Sequence, residues 1–369
     1  MKRFSLPVAL LAVAVSIYPL LAKKKKPEDI TQTLELPKDL PATVTAETSR
    51  LVFHVSPLSG KGLLSAQVRD ALKALLKSSG GATIVKLRAF VAGSGDLRRV
   101  PAIVSETFTD KHLPLPVVSV IQVGALPLEG AQVVIESTAV AKKEMNPLGL
   151  VFVSGQAGSS DAPMLKVAPL AEKTVADLKT ALRGAGSDSA DVLRVTCLCS
   201  SLEDHAAVRD VVEPTFRHAA LDLVQLQRSP IHGVVECEAV AKLTRKIAAP
   251  VQFENPPGLP ASPNFSQIAL VSAPKLVLTG TQVSYGYQDS DARLAFQRLS
   301  KALDQGGSSA KDVVMAHLYP LSSSIAEQVR RVRFEFFDKS RPPAATMQPF
   351  EGLPAVDAGF AVDVVAIAK

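Results

Sequence analysis

Apolar positions along the chain alternate between two spacings, and the alternation repeats. LLSAQVRDALKALLKSSGG places Leu64, Val68, Ala71, Leu72, Leu75 and Leu76 on one helical stripe. Ahead of it RLVFHVSP, Arg50 to Pro57, reads as a strand. Behind it come the strand TIVKLRAFV, a helix through AIVSETF to Phe108, and PVVSVIQVGALPLEGAQVVIESTAVA, Pro116 to Ala141, two strands around a proline turn. That last segment carries a single carboxylate, Glu136, off an otherwise apolar face. On the segment alone, an exposed strand face is the simpler account of it, and a catalytic or ligand-binding acid is the other.

The same order returns twice. GLVFVSGQ, Gly149 to Gln156, precedes TVADLKTALRGAG, DVLRVTCLC, EDHAAVRDVVEPTF and LDLVQLQRSPIHGVVECEAVA. NFSQIALVSAPKLVLTGTQ precedes ARLAFQRLSKALDQGG, DVVMAHLYP, IAEQVRRVRFEFF and AATMQPFEGLPAVDAGFAVDVVAIA. Gln122, Gln225 and Gln348 mark one place in each copy, so a unit is about a hundred residues long. The pattern predicts units over 42–143, 148–243 and 264–369, with the proline-rich APVQFENPPGLPASP as an extended linker within 244–263. Only KKEMNP separates the first two copies, so the second is expected to lack or shorten the first strand of its hairpin. One-striped helices and strands with an apolar face predict an α+β fold, each unit a mixed sheet with two helices on one face. The other face also needs cover, which three units supply by packing sheet against sheet around a pseudo-threefold axis, an internal trimer within a monomer.

Composition and charge narrow the function classes. Of 369 residues, 47% are apolar and 21% charged, which is a globular balance. The net charge of +6 resides entirely in Lys2, Arg3 and Lys23 to Lys26, so the body is neutral and offers no nucleic-acid footprint. Phe4 to Ala22 is an apolar run with a basic start, so 1–26 reads as a signal peptide or membrane anchor. The lysines that follow it resist translocation and are placed to touch an anionic membrane surface. The expected location is therefore exported, periplasmic or membrane-attached.

Cysteine and histidine add no motif. Cys197 and Cys199 share one strand face and Cys237 stands apart, so all three read as buried thiols. His54, His112, His205, His218, His232 and His317 are scattered without metal-ligand spacing, and no metal or other cofactor is predicted. His317 in DVVMAHLYP reads as a satisfied interfacial histidine, and GAGSDSA as a helix cap and turn instead of a phosphate cradle.

Taken together, NFSQIALVSAPKLVLTGTQ, a helix ending in Ala/Gly-Gly, a short strand, a helix ending in Phe, and VIQVGALP followed by VVIESTAVA resemble the Rid/YjgF family. These are reactive-intermediate (enamine/imine) deaminases, also labelled endoribonuclease L-PSP. The resemblance spans about residue 42 to the C-terminus, three times over. It implies a chorismate-mutase-like unit that normally forms a homotrimer with ligand pockets between subunits.

The family's substrate-anchoring arginine aligns with Val118, Leu221 and Ala344, so each copy has lost it. Its last-strand glutamate aligns with Glu136 and Glu238, tentative catalytic residues, while the third copy has Val365. The second-helix asparagine aligns with Pro101, Arg209 and Arg330. Arg209 and Arg330, with Gly155 and Gly280 in the small-residue turns, form the candidate ligand-binding set. Loss of the anchor favours a degenerate module that binds an unknown small molecule or serves as a scaffold. The alternative is an enamine or imine deaminase for substrates lacking the carboxylate. A ribonuclease ranks last, because the body is neutral, without Trp and poor in Tyr.

Overall fold

The computed structural model describes residues 38–369; the predicted leader over 1–26 lies outside them. The first unit runs β1 (Thr43–Glu47), β2 (Leu51–Val55), α1 (Leu64–Ser78), β3 (Thr83–Ala92), α2 (Arg99–Asp110), β4 (Val117–Val123) and β5 (Val133–Val140). The second runs β6 (Leu150–Ser160), α3 (Ala168–Ala185), β7 (Val192–Cys199), α4 (His205–Val212), β8 (Ala220–Gln225) and β9 (Gly233–Lys242). The remainder comprises β10 (Val251–Glu254), β11 (Ile268–Val271), β12 (Lys275–Thr279), β13 (Gln282–Tyr285), α5 (Asp289–Gln305), β14 (Val313–Pro320), α6 (Ser323–Val332), β15 (Ala344–Met347) and β16 (Ala358–Ile367). Among the described residues, no helix is long and apolar enough to cross a membrane.

The strands form three mixed sheets. Their orders are β2-β5-β3-β4, β10-β11-β6-β9-β7-β8, and β1-β12-β16-β14-β15 with β13 also on β16. The pairs β3–β4, β7–β8 and β14–β15 are parallel, each joined across a helix, and the other pairs are antiparallel. Helices α1 and α2 cover the first sheet with the stripe expected from spacing: Leu64, Val68, Ala71, Leu72 and Leu75 are buried. Gly186 ends α3 in the left-handed conformation, φ 79°, and Ser322 caps α6 through its hydroxyl.

First strands are exchanged between units. β1 precedes β2 in sequence but pairs with β12 in the third sheet, Thr43 opposite Thr279 and Glu47 opposite Lys275. β11 precedes β12 but pairs with β6 in the second sheet, Ile268 opposite Val153 and Val271 opposite Leu150. The segment 244–263 is more than the extended linker expected, because Val251–Glu254 lies along β11 as an edge strand. The second unit begins at β6 with no strand ahead of it to lend. β2, which holds the place of β6 and β12, therefore pairs only with β5.

Period two along the strands separates two interiors. In β3, Leu87, Ala89 and Val91 pack on the helices, while Lys86, Arg88 and Phe90 face the other way. The inward faces of all three sheets meet in one apolar cluster that includes Val117, Phe152, Val240, Leu278, Val314 and Val365. The cysteines correct the expectation of three thiols: Cys197 and Cys237 sit opposite each other across β7 and β9 and form a disulfide, leaving Cys199 free and buried. Spacing along one strand bears only on Cys197 and Cys199, two residues apart, and says nothing of a pair across strands.

Candidate functional site

Inside the layer where the three sheets meet lies a charged network. Arg88 projects from β3, directly opposite Glu136 on β5, and its Nε donates to Glu136 Oε2 at 2.7 Å. Its Nη2 donates to Glu238 Oε1 of β9 at 2.7 Å and to Thr196 Oγ1 of β7 at 3.0 Å. Arg194 stands 3.6 Å from both carboxylates. Asp363 of β16 accepts from Ser119 and Tyr319 at 2.8 Å, pairs with His317 Nδ1 at 2.9 Å, and receives Lys86. Glu136, Glu238 and Asp363 are all buried, at 1%, 2% and 0% exposure, so Glu136 is not on the exposed strand face expected for it.

Burial alone would push these acids up. For Glu238 the opposing charges of Arg88, His317 and Arg194 outweigh it and hold the carboxyl well below its usual range. Lys86 and His317 do the same for Asp363, and Arg88 with Arg194 lowers Glu136. Asp222 of β8 lacks such a partner; burial, with the charge of Glu136, raises it well above the usual carboxylate value. At the network lies a cavity of about 20 Å³ bordered by Lys86, Arg194, Glu238 and His317, enough for a single water.

The register corrects two alignments in the third unit. Asp363, opposite His317, holds the place of Glu136 opposite Arg88 and Glu238 opposite Thr196. Val365 shares that strand face two residues on. Ala345, opposite Ala316, matches Val118 opposite Leu87 and Leu221 opposite Val195, so Ala344 is one residue off. A one-residue slip reverses the face: Ala345, Val118 and Leu221 pack toward helices, whereas Ala344 lies in the inner cluster. By the same shift Gln348 is out of step with Gln122 and Gln225. It turns inward and donates to Glu236 of β9, which burial pushes up to about 7.

Larger clefts lie between units, and Arg88 does not line them. Between the first and second, a cleft of about 580 Å³ is bordered by Phe53 to Leu58, by Arg209 of α4, and by His218 to Leu223. His54 Nδ1 and Asp222 Oδ2 are buried there without hydrogen-bond partners, and burial lowers the His54 imidazole. Between the second and third, a groove of about 430 Å³ is bordered by Ile231, Arg330 and Gln348. Nearer β6 the boundary is filled: Ser154 Oγ accepts from the Ala345 N–H at 2.8 Å and donates to the Ser266 carbonyl at 2.6 Å.

Arg209 and Arg330 thus border different clefts, while Glu136 and Glu238 are brought together in the interior. Gly155 lies under Glu236, where a Cβ would come within 2.0 Å of Oε1. Gly280 abuts the Val118 carbonyl, 2.8 Å from where a Cβ would stand. Sequence reasoning missed Arg88, His54, Asp222 and Glu236. The signal for Arg88 was present in TIVKLRAFV, where Lys86 and Arg88 recur at period two inside an apolar strand. Among the described residues, no cluster of three or more His, Cys, Asp or Glu is arranged to hold a metal ion.

Comparison with known proteins places this architecture. The family model described as endoribonuclease L-PSP matches residues 63–141 and again 143–243. The chain belongs to the Rid/YjgF family. The third unit of this Rid/YjgF chain falls outside the matched segments. Solved structures similar to it include a Rid-family protein of unknown function from Yersinia pestis, at 17% identity over 32% of this chain and 99% of that one, TM-score 0.29. Another is a YjgF-family protein from Neisseria meningitidis, at 14% identity over 32% and 95%, TM-score 0.24. A third, a YjgF/YER057c/UK114-family member from Mycobacterium tuberculosis, has 21% identity over 32% and 99%, TM-score 0.24. No curated protein matches the chain.

Proposed function

We propose that this Rid/YjgF chain is an exported binding module whose three units form a trimer within one polypeptide, and that it binds a ligand between its first two units without hydrolysing imines. The observation that carries this reading is the occupation of both candidate acids by one cation. A carboxylate that orients attacking water must face a substrate-sized cleft with a free oxygen lone pair. Glu136 and Glu238 instead converge on Arg88 in the interior, and the Glu238 oxygen left without a partner, Oε2, is buried beside a cavity of about 20 Å³. The positions of the family's anchoring arginine are apolar in all three units and turned toward helices, so no guanidinium fork awaits a carboxylate there.

The first cleft is the better binding site of the two boundaries. It is the larger, and it holds buried polar atoms that lack partners, His54 Nδ1 and Asp222 Oδ2, which a ligand would satisfy. Export is supported by the basic, apolar start of the sequence and by the Cys197–Cys237 disulfide, a bond that persists in oxidising compartments. Hydrolysis of 2-iminopropionate, generated in situ, tests the catalytic half of the proposal: the full chain should match buffer. A faster rate that a Glu136→Gln, Glu238→Gln double variant abolishes would overturn it.

A further inference from the structure

Three strands, β2, β6 and β12, occupy corresponding places in their sheets, and each presents an outer edge. β11 covers that edge on β6 and β1 covers it on β12. On β2 nothing among the described residues does so. The bonds to β5 show which groups are left over. Ser56 donates to the Ile135 carbonyl and Arg50 accepts from Ala141, so the residues between them alternate: even-numbered ones bond β5 and odd-numbered ones face outward. The Leu51 carbonyl is taken by Asn146 Nδ2. Phe53 and Val55 are left with outward N–H and C=O groups.

The filled boundary shows what this space is shaped for. Val55 holds the place of Ser154, whose N–H donates to the Gln267 carbonyl at 3.0 Å, and Phe53 that of Phe152, opposite Ala269. The strand leading into β11 is fastened at its start by Ser266, whose N–H donates to the Pro343 carbonyl. By register, Ala219 holds the place of Pro343. Ala219 and Phe53 to Val55 border the 580 Å³ cleft, so that cleft is the unfilled counterpart of the space that Ser266 to Val271 fills one boundary further on.

We propose that this cleft receives an extended apolar segment of a partner protein, added antiparallel to β2 as a further strand of the first sheet. This rests on the reading of the cleft as the chain's binding site. Continuity with the two filled edges fixes the occupant. The position facing Phe53 takes a small residue, as Ala269 does opposite Phe152, and its neighbours take branched apolar side chains, as Ile268 and Leu270 do. Main-chain bonds to Phe53 and Val55 supply affinity, and alternate side chains supply selection.

The test uses the full chain and a labelled peptide of sequence NFSQIALVS, the segment that fills the equivalent space. Fluorescence anisotropy should show saturable binding. N-methylation at the peptide's alanine, whose N–H faces Phe53, should weaken it about tenfold or more, and N-methylation at the leucine should not. Val55→Pro removes one outward N–H without touching the β5 ladder, as proline on a sheet edge does. It should abolish binding while leaving the circular dichroism spectrum unchanged.

Absence of binding, or equal loss with both methylated peptides, would overturn strand addition. A concentration-dependent rise in mass that Val55→Pro removes would hand the edge to a second copy, and overturn the proposal as well. Acetamide, a neutral donor and acceptor suited to the unpartnered Asp222 Oδ2 and His54 Nδ1, titrated in parallel by NMR separates the two levels of inference. Shifts at His54 and His218 without a peptide response keep the cleft as a binding site and discard the peptide; silence from both probes discards the cleft.

Discussion

The edges of β6 and β2 are built alike and finished differently. Along β6, Gln267 to Val271 supplies the missing ladder, and the Ser154 hydroxyl fastens β15 of the neighbouring unit. Along β2 the corresponding edge stays open beside a boundary cleft of about 580 Å³. Triplication creates three equivalent places for a first strand, but among the described residues only β1 and β11 fill them. The difference comes from the short junction between the first two units, where six residues replace a strand. Buried charge follows the same division, since Glu136 and Glu238 in the interior pair with Arg88 and Asp363 with Lys86, whereas Asp222 near the open edge has an oxygen without a partner.

The contrast breaks most forcefully at Arg88. Arg88→Ala leaves Glu136 and Glu238 buried without a cation and should cost about 3 to 5 kcal/mol in urea unfolding. A cost near zero would mean that water already reaches the network. Ile268→Ala, at the filled edge, should cost about 2 to 5 kcal/mol, because the side chain is fully buried in the second unit's core. The half-exposed Val52 of the open edge should cost clearly less on truncation to Ala. Amide exchange sharpens the same point: Phe53 and Val55 should exchange much faster than Ser154.

Two acids on β9 give opposite pH signatures. Glu238 is held down in the folded state, so its contribution is present above its unfolded value of about 4.3 and lost as pH falls through the lower folded value. The deficit of Glu238→Gln against the wild type should therefore shrink on acidification. Glu236 is pushed up to about 7, so its contribution is present below about 4.3 and lost as pH rises through 7. Glu236→Gln should gain on the wild type between pH 5 and 8, read from urea midpoints. Smallest of all, Arg209→Ala should change stability by no more than about 0.5 kcal/mol, since its side chain is exposed and meets only Glu213 at 3.7 Å.

Local pattern made the units legible. The stripe from Leu64 to Leu75 and the recurring order of elements required only spacing, and so did the family resemblance. What stayed hidden depends on which strands meet. Nothing in TVTAE or IALV says that each pairs outside its own unit, because strands of four or five residues carry no signal for a particular partner. The disulfide needed the register of β7 against β9, and Asp363 needed that of β14 against β16. Glu136 stands out in the sequence as a carboxylate in an apolar strand, but its partner lies in another such strand 48 residues away.

The exchange of β1 also sets an order of events. Thr43 meets Thr279 across a span that includes the whole first and second units. During synthesis, which proceeds from the N-terminus, β1 emerges ahead of the other described strands and waits with bare edges until β12 exists. Such distant pairing closes a long loop and slows folding. The first of the described strands to be made is thus among the last to be seated, and it becomes the clasp by which the finished sheets close.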